Sequence, residues 1–578
     1  MKTKSLLLVL LLVGTVISCD NSKGITKERT YGTTRRYQTP TPQKDLEIEV
    51  DDDAVTNSTV KTEVKKDKKR LNEMPVLQEI MYEENDVEDD VFYCKTEEIQ
   101  DNHNTNEYDF IKDNDYLLAK TNPLSTFSID VDNAAYSVVR QHLNRGVLPP
   151  KDAVRVEEMI NYFDYHYAQP AGEHPFSVFT EVASAPWNSQ HQLVMVGING
   201  KDLDFDNIKP SNLVFLIDTS GSMSDRNKLP LLKKSFKVLL NNLPENSKVA
   251  IVAYAGSAGL VLPSTSVKEK KKILRALNRL SSGGSTAGGA GIKLAYKIAF
   301  QNYKANGNNR VILATDGDFN VGASSSSEMV RLIQKQKEKD IYLSILGFGM
   351  GNYKDGRMEQ ISNAGNGNYF YIDNYSEALK VFKKDLLANM FTIAKDVKIQ
   401  VEFNPAKVKA YRLIGYVNRK MANKDFNDDT KDAGELGPGH TVTALYELVP
   451  AGSSEKINGT DDLKYQKVQI DRTSSELLTV KLRYKPIKSN KSKLIKIPVL
   501  TSGKEWKQAS KDYQFAASVA GFGMLLRDSK YKGNTSPKLL RELAWQSKDY
   551  NDKYKNEYIT LIDRYEEIVS QKPMVDNQ

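Results

Sequence analysis

The sequence predicts an α/β fold in which a central, doubly wound, mostly parallel sheet is flanked by an α+β unit before it and by a β-rich, then helical, region after it. Three observations predict this. Between residues 213 and 372, runs that are apolar throughout alternate with helical segments, as in a parallel sheet covered on both faces. Before residue 210, strand-like alternation and helical spacing are mixed. After residue 390 the pattern changes to successive β-rich runs and ends in amphipathic helices. With 578 residues the chain is too long for one core.

In chain order, Lys2 and Lys4 precede an apolar run over 6–17 that closes on Ser18 and Cys19, the three parts of a secretory signal. The run is too short to span a bilayer, which takes about 20 residues. Val16-Ile17-Ser18-Cys19 resembles a bacterial lipobox, which implies that residues 1–19 are a lipoprotein signal peptide and that Cys19 is lipidated. The chain has 2 cysteines, so on that reading Cys94 is the one thiol left and no intrachain disulfide forms. Residues 20–114 are polar and charged and bury too little apolar area to offset ordering entropy. They read as a flexible tether from a membrane; a charged partner-binding surface is the alternative.

The segment 115–209 forms the N-terminal unit: a strand over 125–132, helices over 134–143 and 154–163, and strands over 176–183 and 192–198. Pro149 and Pro150 separate the helices. The central domain, 210–390, has strands over 213–217, 249–254, 310–314, 341–347 and 369–372. Helices are predicted over 229–243, 268–280, 290–303, 328–339 and 376–387. Residues 391–578 form the C-terminal extension, with strands over 397–403, 409–416, 441–449, 478–484 and 494–500. Helices over 513–526, 536–546 and 554–568 close the chain.

Ligands of open α/β sheets sit beyond the carboxyl ends of the strands, and the strongest motif falls there. Asp218-Thr219-Ser220-Gly221-Ser222 follows the first central strand as Asp-x-Ser-x-Ser. Gly283-Gly284-Ser285-Thr286-Ala287-Gly288-Gly289 carries a threonine in a glycine-rich loop, and Thr315-Asp316-Gly317 closes a later strand. A lone Asp-x-Ser-x-Ser is common by chance, and such residues often cap the next helix. Three pieces in this order are a different matter. They resemble the metal-ion-dependent adhesion site of von Willebrand factor A (VWA) and integrin inserted domains, over roughly 210–390.

That resemblance implies that the hydroxyls of Ser220, Ser222 and Thr286 bind a divalent cation directly, while Asp218 and Asp316 act mainly through bound waters. Hard hydroxyl and carboxylate oxygens that leave waters in place suit octahedral Mg²⁺ or Mn²⁺. Neutral direct ligands leave the ion most of its charge, so a carboxylate of another molecule can complete it. Asp225 and Asp318 lie near the motif and read as solvated loop residues.

Leu124-Ser125-Thr126-Phe127-Ser128-Ile129-Asp130-Val131-Asp132, Leu148-Pro149-Pro150 and Ile160-Asn161-Tyr162-Phe163 resemble the N-terminal extension of bacterial YfbK-type VWA proteins. Phe426-Asn427-Asp428-Asp429-Thr430 and the run from Gly439 to Glu447, which contains His440, resemble their C-terminal extension. Four aspartates over 425–432 could hold Ca²⁺ but lack the spacing of a calcium loop; a solvated loop or docking surface is expected.

The sequence lacks His-Glu-x-x-His, Gly-x-Ser-x-Gly, a phosphate loop and Cys-x-x-Cys, and no general base stands in the metal loops. The net charge of +7, from 81 basic and 74 acidic side chains in mixed clusters, argues against nucleic acid as a partner. The expectation is a non-enzymatic, metal-dependent binding module for a protein with an exposed acidic residue. It would sit in the bacterial cell envelope, lipid-anchored on the periplasmic or surface side of a membrane. A structural envelope scaffold whose metal stabilises the fold is the alternative, and a metal-dependent hydrolase comes third.

Overall fold

The computed structural model describes residues 107–571 except 130–131, 203–208, 285–287, 318–325, 350–353, 460–469 and 550. Cys19, Thr286 and Asp318 therefore lie outside the described residues, as do residues 20–106 of the expected tether. Its last stretch, 107–114, is instead held to the fold, where buried Asn114 donates to Leu413 O (2.9 Å) and Gly415 O (2.7 Å) and Ile111 N–H to Asp152 (3.1 Å).

The N-terminal part supplies β1 (Leu117–Leu118), β2 (Leu124–Ser128), α1 (Ala134–Asn144), α2 (Val156–Asn161), β3 (Phe176–Ala185) and β4 (Asn188–Gly200). The central strands are β5 (Ser211–Asp218), β6 (Lys248–Tyr254), β7 (Ala258–Ser266), β8 (Asn308–Thr315), β9 (Ile341–Phe348) and β10 (Tyr369–Ile372). Between them run α3 (Leu229–Asn242), α4 (Lys270–Asn278), α5 (Gly288–Gln301), α6 (Ser326–Lys337) and α7 (Asp355–Ala364). After β10 come α8 (Tyr375–Lys380) and α9 (Leu386–Ala388).

These strands form one sheet in the order β10-β9-β8-β5-β6-β7, parallel except for β7, which pairs antiparallel with β6. Alternation along β5 explains the two covered faces. Leu213, Phe215 and Ile217 point into a core with α3, α4 and Phe382, while Val214 and Leu216 point into one with α5, α6 and α7. The fold class expected from the apolar runs is the one observed. The edge strand β7 and helix α7 are additions: Gly259 and Pro263 make β7 read as a loop, and Pro is tolerated because an edge strand has unpaired positions.

The C-terminal part adds β11 (Ala394–Phe403), β12 (Val408–Ile414), β13 (Gly434–Leu436), β14 (Thr441–Pro450), β15 (Glu476–Pro486) and β16 (Lys493–Leu500). It ends with α10 (Lys511–Leu526), α11 (Pro537–Trp545) and α12 (Lys553–Ser570). Its strands do not form a body of their own. One sheet has the order β1-β12-β14-β4-β3, and in the other β11 pairs with β13, β15 and the N-terminal β2, with β16 outside β15. Val194, Val196 and Ile198 of the first sheet face Val397, Ile399, Val401 and Val480 of the second across one apolar core. The outer face of the first sheet is covered by α2, α10, α11 and α12 around Trp187, Tyr513 and Tyr558. The central α/β domain is thus inserted between β4 and β11 of a sandwich that needs strands from both ends of the chain.

Buried ion pairs join the two. Arg140 of α1, fully buried, donates to Asp373 and to Glu377 (2.8 Å) beyond β10, to Glu557 of α12 (3.1 Å) and to the Tyr162 hydroxyl (3.0 Å). No described helix is long and apolar enough to cross a membrane.

Candidate metal centre

The central sheet reverses its winding between β5 and β8: β6 follows β5 on one side, and β8 pairs on the other. Such a switch point leaves a crevice at the carboxyl ends of the two strands. Asp218 ends β5 and Asp316 follows β8, and both are buried.

The chain leaves Asp218 in a short 3₁₀ turn, Gly221–Ser224, that folds the serines back over the aspartate. Asp218 Oδ1 accepts the Ser220 backbone N–H (2.8 Å), and the Ser220 and Ser222 hydroxyls lie 3.0 Å apart. The Tyr254 hydroxyl (3.0 Å) and the Thr315 hydroxyl (3.2 Å) donate to Asp218 Oδ2. Burial pushes the Asp218 carboxyl up, the Ser220 hydrogen bonds pull it down, and the charge of Asp316 adds to the rise.

The glycine-rich loop is drawn to the same place. Gly283 N–H donates to Thr219 O (2.8 Å) and Gly221 N–H to Gly284 O (3.2 Å). Gly284 has φ +86°, which a side chain would strain. Thr286 follows two residues later, outside the described residues.

Asp316 differs from Asp218. Its Oδ2 accepts Lys228 Nζ at 3.1 Å, but its Oδ1 is buried without a hydrogen-bond partner among the described residues. A buried carboxylate oxygen left unpaired is costly unless something outside the chain completes it. That oxygen, two converging hydroxyls and a neighbouring carboxylate form a hard-oxygen donor set that fits Mg²⁺ or Mn²⁺. Four of the five metal residues expected from the sequence, Asp218, Ser220, Ser222 and Asp316, are thus brought to one crevice.

Lys228 was not among the residues expected there. It precedes α3 and is buried, with Nζ on Ser222 O (2.8 Å) and 3.2 Å from Asp225 Oδ2. A search for oxygen ligands passes over a lysine; its position six residues after Ser222, at the mouth of α3, was the available signal. Asp225 is exposed and paired with this lysine.

Two other acid-rich segments are bonded to cations of the chain, the first through its backbone carbonyls. The carbonyls of Asp425 (3.1 Å) and Asp428 (2.6 Å) accept Lys398 Nζ, and that of Asp429 accepts Lys485 Nζ (2.7 Å). The aspartate-rich loop is therefore fastened to β11 and β15 by ammonium groups. His440 lies just before β14, where its carbonyl accepts Gly200 N–H (2.9 Å).

Asp132, Glu158 and Glu359 also converge, with carboxylate oxygens within 4.8 Å of one another. Arg155 pairs with Glu158 and with Asp355 of α7, while Arg419 pairs with Glu359 (2.8 Å) and Asp132 (3.2 Å). Two guanidinium groups therefore supply positive charge to this cluster.

Comparison with known proteins agrees with this architecture. A model described as von Willebrand factor type A domain matches residues 212–384, and one described as von Willebrand factor matches residues 102–195. One described as Uncharacterized protein YfbK, C-terminal, matches residues 388–568. The chain is 42% identical over 473 residues to YfbK of Escherichia coli (strain K12), covering 80% of this chain and 81% of that protein. It is 30% identical over 202 residues to protein sll0103 of Synechocystis sp., covering 35% of this chain and 46% of that one. Among solved structures, a von Willebrand factor type A protein from Catenulispora acidiphila aligns at 16% identity and TM-score 0.37, over 69% of this chain and 91% of that one.

Proposed function

The chain belongs to the YfbK family, with a von Willebrand factor type A domain at its centre, and from that premise we propose that it is a metal-ion-dependent protein-binding module tethered to a membrane of the bacterial cell envelope. Domains of this type serve protein–protein interaction. One observation carries the finer reading: at the switch point of the sheet the Ser220 and Ser222 hydroxyls converge, and Asp316, joined to Ser222 through Lys228, keeps a buried oxygen that has no hydrogen-bond partner among the described residues.

Ser220, Ser222 and Thr286 would hold Mg²⁺ or Mn²⁺ directly, with Asp218 and Asp316 behind them. The bound cation would supply a positive centre able to take a carboxylate from a partner protein. The chain's own part is preorganisation. Tyr254 and Thr315 fix Asp218, and Asp218 in turn fixes the Ser220 backbone, so the hydroxyls are set before the ion arrives. Binding is favoured over turnover because Asp218, the group best placed to act as a base, already accepts hydrogen bonds on both oxygens. The tether and anchor rest on the polar, charged residues 20–106 and on Cys19 of the lipobox-like sequence.

The test is a pull-down from envelope extract by the purified chain with Mg²⁺ and with EDTA, with Ser222→Ala as control. A partner held only by the native chain in Mg²⁺ supports the proposal. Identical bands in every lane would reject it and favour a scaffold, in which case Mg²⁺ should raise the melting temperature instead.

A further inference from the structure

Lys228 is placed as no ordinary surface lysine is. Its ammonium lies against Ser222 O (2.8 Å) and Asp316 Oδ2 (3.1 Å), within the ring of groups that carries the metal reading. Its stem runs past Gly349, at the end of β9, where a β-carbon would fall on the lysine Cε. Gly349 has φ +74°, so both the space and the backbone there exclude a side chain. The fold therefore provides a slot for this stem and aims the charge at Asp316.

Two consequences follow from elementary electrostatics. With Oδ2 of Asp316 held by the ammonium, Oδ1 is the oxygen left for a further ligand. Asp225 also lies 3.2 Å from the ammonium but is exposed and screened by water. Among the buried groups Asp218 and Asp316 contribute two negative charges and Lys228 one positive charge, so the buried set carries −1 instead of −2. A dication bound there leaves a net +1, whereas without the lysine the sum would be zero. The positive excess attracts an anionic ligand and repels the cation that recruits it.

Resting on the proposed metal-dependent binding, we infer that Lys228 is a specificity-determining residue: a built-in counter-cation that weakens metal binding and strengthens the loaded site's grip on a carboxylate. It acts through Asp316 and through charge.

The experiment uses Mn²⁺ as the probe, read by electron paramagnetic resonance, and acetate as the carboxylate, read by its displacement of water from bound Mn²⁺ in proton relaxation. Lys228→Met keeps the stem in its slot and removes the charge; Lys228→Gln also keeps a hydrogen-bond donor, should the methionine variant fail to fold. Both are expected to bind Mn²⁺ about tenfold more tightly than the native chain, the scale of one charge removed near a dication in a partly solvated site. Both should also bind acetate more weakly once loaded. Circular dichroism and melting temperature check the fold of each. A merely structural lysine predicts the opposite sign, because the ligands would splay and Mn²⁺ would bind less well. Equal or weaker Mn²⁺ binding in the folded variants overturns the inference, and failure of the native chain to bind Mn²⁺ overturns the metal-dependent reading on which it rests.

Discussion

Glu158 offers a quantitative test of how the inserted domain is held. It lies on α2, fully buried, where Oε1 accepts Arg155 and Oε2 accepts the Ala135 N–H (2.9 Å). Around it stand Asp132, Asp355 and Glu359, with Arg155 and Arg419 as the cations. Four carboxylates thus face two guanidinium groups. Burial, with the charges of Glu359 and Asp355 added, outweighs Arg155 and pushes the Glu158 carboxyl up to about 7. An acid raised in this way keeps its proton in the folded chain at pH values where the unfolded chain, near 4.5, has released it. Its contribution to stability is therefore full below about pH 4.5, lost as pH rises toward 7, and constant above.

The interval from 4.5 to about 7 amounts to a loss on the order of 3 kcal/mol, at about 1.4 kcal/mol per pH unit. Replacing Glu158 with Gln removes the proton and with it this slope, whatever the substitution does to absolute stability. Urea unfolding at pH 5, 6, 7 and 8 reads the slope directly, and the native chain should lose stability by pH 7 while the variant stays flatter. Parallel pH profiles for the two proteins would refute the reasoning, because the excess negative charge would then be relieved elsewhere.

Three further predictions follow, two from the fold and one from the sequence. Arg140→Met leaves Asp373 and Glu377 buried without their guanidinium and should cost about 3–5 kcal/mol in denaturant unfolding; a loss under 1 kcal/mol would show that other groups satisfy them. Gly367→Ala places a methyl on the Leu343 carbonyl oxygen and should cost about 1–3 kcal/mol, whereas Gly452→Ala, with open space around it, should be near neutral. Equal melting temperatures for those two variants would count against the packing described. Cys19→Ser should abolish incorporation of labelled fatty acid and release the protein from membranes on fractionation; retained labelling would place the lipid elsewhere.

The central domain was legible in the sequence because its signal is local. Apolar strands such as β5 and β8 are buried on both sides, so they read as continuous runs, and the loops at their ends carry Asp218, Ser220, Ser222 and Asp316 in an order that few arrangements produce. What the sequence left hidden depends on long-range pairing. That β2 adds to β11, and β4 to β14, is written in no local pattern, because each strand alternates in the same way whichever partner it meets. The local patterns therefore predict two flanking regions where the fold has one sandwich built from both ends of the chain. Arg140 was invisible for a similar reason, since three of its acidic partners lie more than 200 residues away. Lys228 sits in the motif's own segment, yet nothing in that segment except its position marks it. Its role comes from the slot beside Gly349, which β9 brings in from 121 positions downstream.

The most direct test of the account is the position of the ion itself. A crystal of the chain soaked in Mn²⁺ and measured at the manganese absorption edge should show one anomalous peak beside Ser220 and Ser222, within direct coordination distance of their hydroxyl oxygens. Asp316 Oδ1 should face that peak and Lys228 should keep to Oδ2. No peak at that crevice, or one only among Asp132, Glu158 and Glu359, would contradict the proposal that this domain binds its partner through a cation at the switch point of its sheet.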